Sequence, residues 1–162
     1  MIRSGIGFDA HQLKKGIDLY IGGVKIDSDL GSLGHSDGDA LIHALADSLL
    51  GAAGLGDIGQ YFPSKEKEWE NAKSEIFLIE VKKILINNGF KISNIDCTVT
   101  LQKPKINPYI KPIRNNISRI LELNEKYISI KATTTDYLGY IGDSKGWGVI
   151  SIAPIIDAKE HS

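Results

Sequence analysis

Residues 35–47 read His-Ser-Asp-Gly-Asp-Ala-Leu-Ile-His-Ala-Leu-Ala-Asp, which puts two histidines and three aspartates within thirteen positions. Earlier in the chain stands Asp9-Ala10-His11. Imidazoles combined with a carboxylate are what a divalent transition metal asks for. Side chains two apart on a strand share a face, so Asp9 and His11 can point at one target. With His43 as third ligand and a fourth position open, the set would be a catalytic rather than a structural zinc site. The chemistry expected is a metal-dependent reaction on a phosphorylated small molecule.

Each piece alone has a plainer meaning. Asp9 and His11 could be a surface pair at a strand end. His43 lies far round a helical wheel from the apolar stripe, with Asp39 and Asp47 four residues to either side of it. It could be solvated and paired to one of those aspartates. Alternatively it binds a metal while one of them orients its second nitrogen.

The elements that must position these groups follow from periodicity. A strand is expected over 2–10, with Ile2, Ile6 and Phe8 on one face and Arg3, Gly5, Gly7, Asp9 and then His11 on the other. The glycines leave that second face bare for another backbone or a ligand. A hairpin over 17–27 turns at Gly22-Gly23, and 28–34 reads as Gly/Ser-rich loop. A helix over about 38–53 carries the stripe Leu41, Ile42, Leu45, Leu49 and Ala52, with Ser36 or Asp37 as its cap. Residues 54–63 read as a loop whose glycines around Asp57 free backbone N–H groups for an anion, and 65–70 as a charged, solvated stretch. A second helix is expected over 74–88, with Phe77, Val81, Ile84 and Leu85 facing inward and Gly89 as its stop. A strand over 90–101 alternates through Ile95, Cys97, Val99 and Leu101, and a loop with two lysines covers 102–107. A third helix starts near Pro108 or Pro112 and keeps Ile110, Ile113, Ile117, Ile120 and Leu121 at helical spacing. Strands over 127–133 and 147–156 complete the chain. The pattern predicts one α+β layered domain over 1–157, with a polar tail at 158–162.

Composition narrows the function classes. The 162 residues carry a net charge of −1, which leaves no electrostatic footprint for nucleic acid or an anionic membrane. The single cysteine, Cys97, forbids an internal disulfide and reads as strand core. No apolar run approaches the roughly 20 residues of a membrane span, and no basic-then-apolar leader precedes the first strand. A soluble, cytoplasmic protein is expected.

The assembled motifs resemble one family, the 2-C-methyl-D-erythritol 2,4-cyclodiphosphate synthases of the non-mevalonate isoprenoid pathway. The likeness is carried by Gly7-Phe8-Asp9-Ala10-His11, Ile21-Gly22-Gly23, and His35-Ser36-Asp37-Gly38-Asp39 with His43-Ala44-Leu45. It continues through Leu49-Leu50-Gly51-Ala52-Ala53, Leu55-Gly56-Asp57-Ile58-Gly59, Phe62-Pro63, Pro104-Lys105 and Lys131-Ala132-Thr133-Thr134-Thr135. The pieces recur in the family's order across nearly the whole chain.

The resemblance implies a four-stranded sheet with helices on one face plus a small hairpin, ferredoxin-like, assembled as a homotrimer with active sites between subunits. It implies conversion of 4-diphosphocytidyl-2-C-methyl-D-erythritol 2-phosphate to the cyclic diphosphate plus CMP. Asp9, His11 and His43 match zinc ligands, and Asp9 and His11 also border the substrate. His35 and Ser36 match a substrate-binding pair in a mobile loop. The segments Asp57-Ile58-Gly59 and Phe62-Pro63-Ser64-Lys65-Glu66 match those that hold the methylerythritol phosphate. Leu101-Gln102-Lys103-Pro104-Lys105-Ile106-Asn107 matches the cytidine-phosphate loop. Thr133, Thr134 and Thr135 match the region of the diphosphate, and Tyr140 lies in a matching binding segment. Asp136 stands where the family usually has a Glu for a second cation, Mg²⁺ or Mn²⁺. His35, Thr134 and Asp136 are the residues expected nearest the chemistry besides the zinc set. A second departure is Asp143 in place of an Arg that contacts phosphate, with Lys145 as a candidate replacement. Against this enzyme stand two other readings, a nucleotide- or isoprenoid-binding module without catalysis and a structural zinc site in a trimer.

Overall fold

The computed structural model describes residues 1–63, 65–69 and 72–158. Ser64, the end of the charged stretch at Glu70, and 159–162 of the polar tail lie outside the described residues.

A long strand opens the chain, β1 (Ile2–Lys15), followed by β2 (Leu19–Ile21), β3 (Val24–Ile26) and β4 (Leu30–Leu33). Next come helices α1 (Ala40–Ala53), α2 (Ile58–Tyr61) and α3 (Glu75–Asn87), strands β5 (Phe90–Ile92) and β6 (Ile95–Thr100), helix α4 (Ile110–Leu121), strand β7 (Ile128–Thr133), helix α5 (Gly139–Gly142) and strand β8 (Gly146–Asp157). The sheet runs β4-β1-β8-β6-β7, with β5 also paired to β8, and β2-β3 form a separate hairpin. All pairings are antiparallel except β6 with β7.

The layered α+β domain is present, and the sheet has six strands rather than four. Its four long strands lie in the order β1-β8-β6-β7, and two short strands extend it. The long elements run β-α-α-β-α-β-β, which is not the β-α-β-β-α-β order of a ferredoxin-like unit. The segment 30–33 forms edge strand β4, because its backbone finds a partner in the far end of β1. The run 90–101 breaks at Ser93-Asn94 into two strands, and 58–61 is a short helix capped by Asp57.

Helix α1 lies directly on β1 and β8. Gly5 and Gly7 allow this: a Cβ on Gly5 would sit 2.0 Å from the Ser48 carbonyl oxygen, and one on Gly7 1.9 Å from that of Ala44. With α3 packed on its outer side, α1 is buried almost all round, not along one stripe. Burying Leu41, Ile42, Leu45, Leu49 and Leu50 completely is worth roughly 1.5–3 kcal/mol per side chain. The helix starts at Ala40 with Asp39 as cap, since Gly38 takes the left-handed conformation (φ 68°) and cannot continue a helix.

No long helix among the described residues covers the other face of the sheet. It presents Ile2 (70% exposed), Ile6 (70%) and Phe8 (62%) from β1, with Ile150 and Ile152 from β8.

Candidate metal centre and substrate cavities

β1 brings Asp9 and His11 to its helix-covered face, and α1 brings His43 down onto them one turn from its start. Ligand atoms of the three residues lie within 4.8 Å of one another, the one such cluster among the described residues. Asp9 Oδ2 is 3.0 Å from His11 Nδ1 and 3.1 Å from His43 Nδ1. The two imidazoles stand 5.4 Å apart between centroids.

Electrostatics prepare the carboxylate for a cation. Burial alone would raise the pKa of Asp9, but the imidazoles of His11 and His43 outweigh it and hold the carboxyl at about 2. Burial alone would lower the pKa of His43; the carboxylate of Asp9, with Asp39 and Asp37 further off, raises it instead. His11 Nδ1 is buried without a hydrogen-bond partner although Asp9 is close, so that contact is too oblique to be a hydrogen bond. An orphaned imidazole nitrogen beside an ionised carboxylate fits a bound divalent ion, which would relieve both groups at once.

His43 is buried, with neither expected aspartate as its side-chain partner. The carboxylate of Asp39 turns away to accept from the backbone N–H groups of Gly22, Gly23 and Ile42. That of Asp47 accepts from the N–H of Ile58, which fixes the start of α2. His43 Nε2 instead meets Ser74 Oγ at 2.9 Å and Ser36 Oγ at 3.2 Å. Nothing local in the sequence points to Ser74. It lies 31 positions from His43 and reads only as the start of a helix.

A cavity of about 570 Å³ opens on these ligands, lined by His35, Ser36, Ile58, Gly59, Phe62, Pro63 and Lys65 among the expected residues. Trp69 and Phe77 complete its wall. The Phe62 ring lies tilted at 4.8 Å from Phe77 and edge-on at 5.2 Å from Trp69, so Trp69 belongs to an aromatic cluster rather than to a solvated stretch. The expected residues Asp57 and Glu66 do not line it. Asp57 accepts from the N–H of Gln60, and Glu66 from the Trp69 indole.

The remaining expected residues gather elsewhere. The loop 101–107 and the end of β7 enclose a pocket of about 210 Å³, bounded by Leu101, Gln102, Pro104, Lys105, Ile106, Asn107, Thr133 and Thr134. The side chains of Leu101, Gln102 and Ile106 are buried, so this loop offers backbone groups to a ligand. Adjoining it, Gln102, Lys103, Pro104, Lys105, Thr134 and Asp136 line a cavity of about 900 Å³, together with Lys15, residues 27–30, Tyr137 and Ser144. Lys15 and residues 27–30 carry no motif that would have marked them. The Tyr137 N–H donates to Gln102 Oε1 and joins the two loops. Asp136 is left-handed (φ 50°) with Thr134 beside it. Thr135 donates to the Leu138 carbonyl, and Tyr140 is exposed outside these cavities. Lys145 is paired with Asp143 at 3.0 Å, so the charge expected to stand in for the missing Arg is offset by the carboxylate that occupies the Arg's place.

Comparison with known proteins adds identity to this geometry. The profile of the YgbB family matches residues 2–156. A 2-C-methyl-D-erythritol 2,4-cyclodiphosphate synthase from Clostridium novyi is 47% identical over 154 residues, which cover 95% of this chain and 98% of the relative. The CDP-bound form of a 2C-methyl-D-erythritol-2,4-cyclodiphosphate synthase superposes with a TM-score of 0.88 at 36% identity, covering 95% of this chain and 100% of that one. The bifunctional IspDF from Campylobacter jejuni superposes with a TM-score of 0.93 at 39% identity; 98% of this chain is covered, spanning 44% of that longer one. The carboxylate and two imidazoles thus sit in a fold that nearly all of this chain shares with these enzymes, and the chain belongs to the YgbB family of 2-C-methyl-D-erythritol 2,4-cyclodiphosphate synthases.

Proposed function

We infer that the cavity over Asp9, His11 and His43 is the seat of the family's reaction, and that zinc is the ion these three residues hold. The enzyme converts 4-diphosphocytidyl-2-C-methyl-D-erythritol 2-phosphate to the 2,4-cyclodiphosphate. An oxygen of the 2-phosphate forms a bond to the β-phosphorus, the bond from that phosphorus to the bridging oxygen breaks, and CMP leaves with that oxygen. Asp9, His11 and His43 would hold zinc and Asp136 would hold magnesium or manganese, and these cations would supply positive charge that offsets the charge of the diphosphate.

The protein's own part is positioning. The attacking phosphate is already anionic, so no nucleophilic side chain is needed. His35 and Ser36 border the metal cavity where the β-phosphate enters. The aromatic wall of Phe62, Trp69 and Phe77 takes the methyl-bearing carbon chain, with Ile58, Gly59 and Lys65 beside it. The backbone of 101–107 reads the cytosine and cradles its phosphate, and the hydroxyls of Thr133 and Thr134 meet the diphosphate.

One observation carries the arrangement further. Within one chain the metal cavity and the nucleotide loop line separate cavities. A single substrate bridges them if the two halves come from neighbouring subunits. The uncovered apolar face at Ile2, Ile6, Phe8, Ile150 and Ile152 supports a homotrimer packed through its sheets. No described helix is long and apolar enough to cross a membrane, and we place the enzyme in the cytoplasm.

The test is direct. Protein loaded with zinc and given magnesium and the cytidylyl substrate is followed by phosphorus NMR and CMP release. Cyclic diphosphate and CMP in equal amounts are expected. Tight CMP binding without product would overturn the catalytic assignment in favour of a binding module.

A further inference from the structure

Ser74 occupies the N-cap of α3, a position where Ser ordinarily bonds a first-turn N–H. It makes no such bond. The residue is fully buried and its side chain is committed elsewhere. The Ser74 hydroxyl donates to Asp37 Oδ1, and the Ser74 N–H donates to Oδ2 of the same carboxylate at 2.9 Å. The backbone N–H of Asp39 also donates to Oδ1, at 3.2 Å.

A hydroxyl has one proton. With that proton on Asp37, only lone pairs of Ser74 Oγ remain for His43, 2.9 Å away. Nε2 of His43 is therefore protonated, and in the neutral ring that a metal binds Nδ1 keeps its lone pair. Nδ1 stands 3.1 Å from Asp9 Oδ2, itself an acceptor. Two acceptors at that distance repel unless a proton or a metal cation lies between them.

Resting on the metal-site reading above, we propose that Ser74 and Asp37 are positioning residues that fix His43 as an Nδ1 ligand by holding the proton on Nε2. Ser36 also reaches Nε2, at 3.2 Å, but makes no hydrogen bond to Asp37. It borders the cavity over the metal set, and its contact with His43 is longer than the 2.9 Å contact of Ser74.

Zinc affinity by chelator competition, with ring-nitrogen NMR of the zinc-loaded protein, tests this. Wild type is expected to show a slowly exchanging Nε2–H on His43. Ser74→Ala is expected to lose that protection and to bind zinc about 10–100-fold more weakly, the range for an outer partner of a ligating histidine. Ser36→Ala is expected to stay within about threefold of wild type, as a weak hydrogen bond allows, while raising the KM for substrate. If Ser74→Ala fails to fold, the near-isosteric Asp37→Asn takes its place, with several-fold weaker zinc binding expected. Unchanged affinity and an unchanged Nε2–H signal in Ser74→Ala or Asp37→Asn overturn the relay. So does a large affinity loss in Ser36→Ala alone. A wild-type protein that retains no zinc refutes the underlying metal assignment instead, and the relay with it.

Discussion

Replacing Gly7 by Ala perturbs the metal centre without touching a ligand. The backbone of Gly7 is extended, with no positive φ, so alanine can adopt it. Its added Cβ would stand 1.9 Å from the Ala44 carbonyl oxygen and 2.8 Å from the Ser48 nitrogen, both backbone atoms of α1. Real contacts of this kind do not fall below 3.0 Å, so strand and helix must part by about 1 Å. A rigid backbone clash belongs at the upper end of the roughly 1–3 kcal/mol that overpacking costs. Against it stands the roughly 0.4–1 kcal/mol that alanine gains by restricting the unfolded chain. A net loss of about 2 kcal/mol is expected, a fall in Tm of about 4–8 °C for a chain of this size. Gly7 precedes Asp9 by two residues and Ala44 follows His43, so the same parting pulls two of the proposed ligands away from each other. A 1 Å misplacement of this kind costs on the order of 10²-fold in turnover. Urea unfolding, zinc competition and CMP release measure the three effects. A Gly7→Ala protein with wild-type midpoint, zinc affinity and turnover would refute the claim that the helix backbone rests on this glycine.

Gly51→Ala is the converse experiment. Gly51 is exposed within α1 with nothing near its Cβ position, so the substitution should stabilise by up to about 1 kcal/mol with turnover unchanged. His43→Ala is expected to retain no zinc on dialysis and to fall to background CMP release; normal turnover in a metal-free preparation would contradict the site. Phe8→Glu places a charge on the uncovered sheet face and should yield monomers by sedimentation while the monomer keeps its helical circular dichroism. Burial pushes the Cys97 thiol from 9.0 up to about 12. The folded protein therefore keeps a proton that the unfolded chain loses above pH 9. Through this group stability falls by about 1.4 kcal/mol per pH unit from pH 9 to about 12, a fall that Cys97→Ala should lessen. In native protein at neutral pH the thiol should not react with an aromatic disulfide reagent.

Much of the site is written locally. Asp9 and His11 share a face because a strand alternates, and Gly5 and Gly7 beside them announce a close approach that α1 makes. The alternation through Ile95, Cys97 and Val99 named one side of β6, and the proline positions marked where α4 begins. Errors fell where a partner distant in sequence decides. Leu30–Leu33 becomes a strand because β1 is long enough to pair with it. The alternative of a solvated His43 paired to Asp39 or Asp47 failed because α1 is an inner layer, covered by α3 as well as by the sheet.

Residue types and spacing by themselves picked out Asp9, His11 and His43 as a candidate metal set, the helix that carries one of them and the connecting loop at 102–107. Those features depend on periods of two and 3.6 residues and on what each side chain can donate. The tertiary structure alone decided which groups surround the ligands. Asp39 turned to the glycine turn because unpaired buried N–H groups there are costly, and Ser74 came to His43 across 31 residues because α3 had to cover α1. The separation of the metal cavity from the nucleotide loop within one chain is likewise a matter of how sheet and loops pack. No local pattern of residues encodes it.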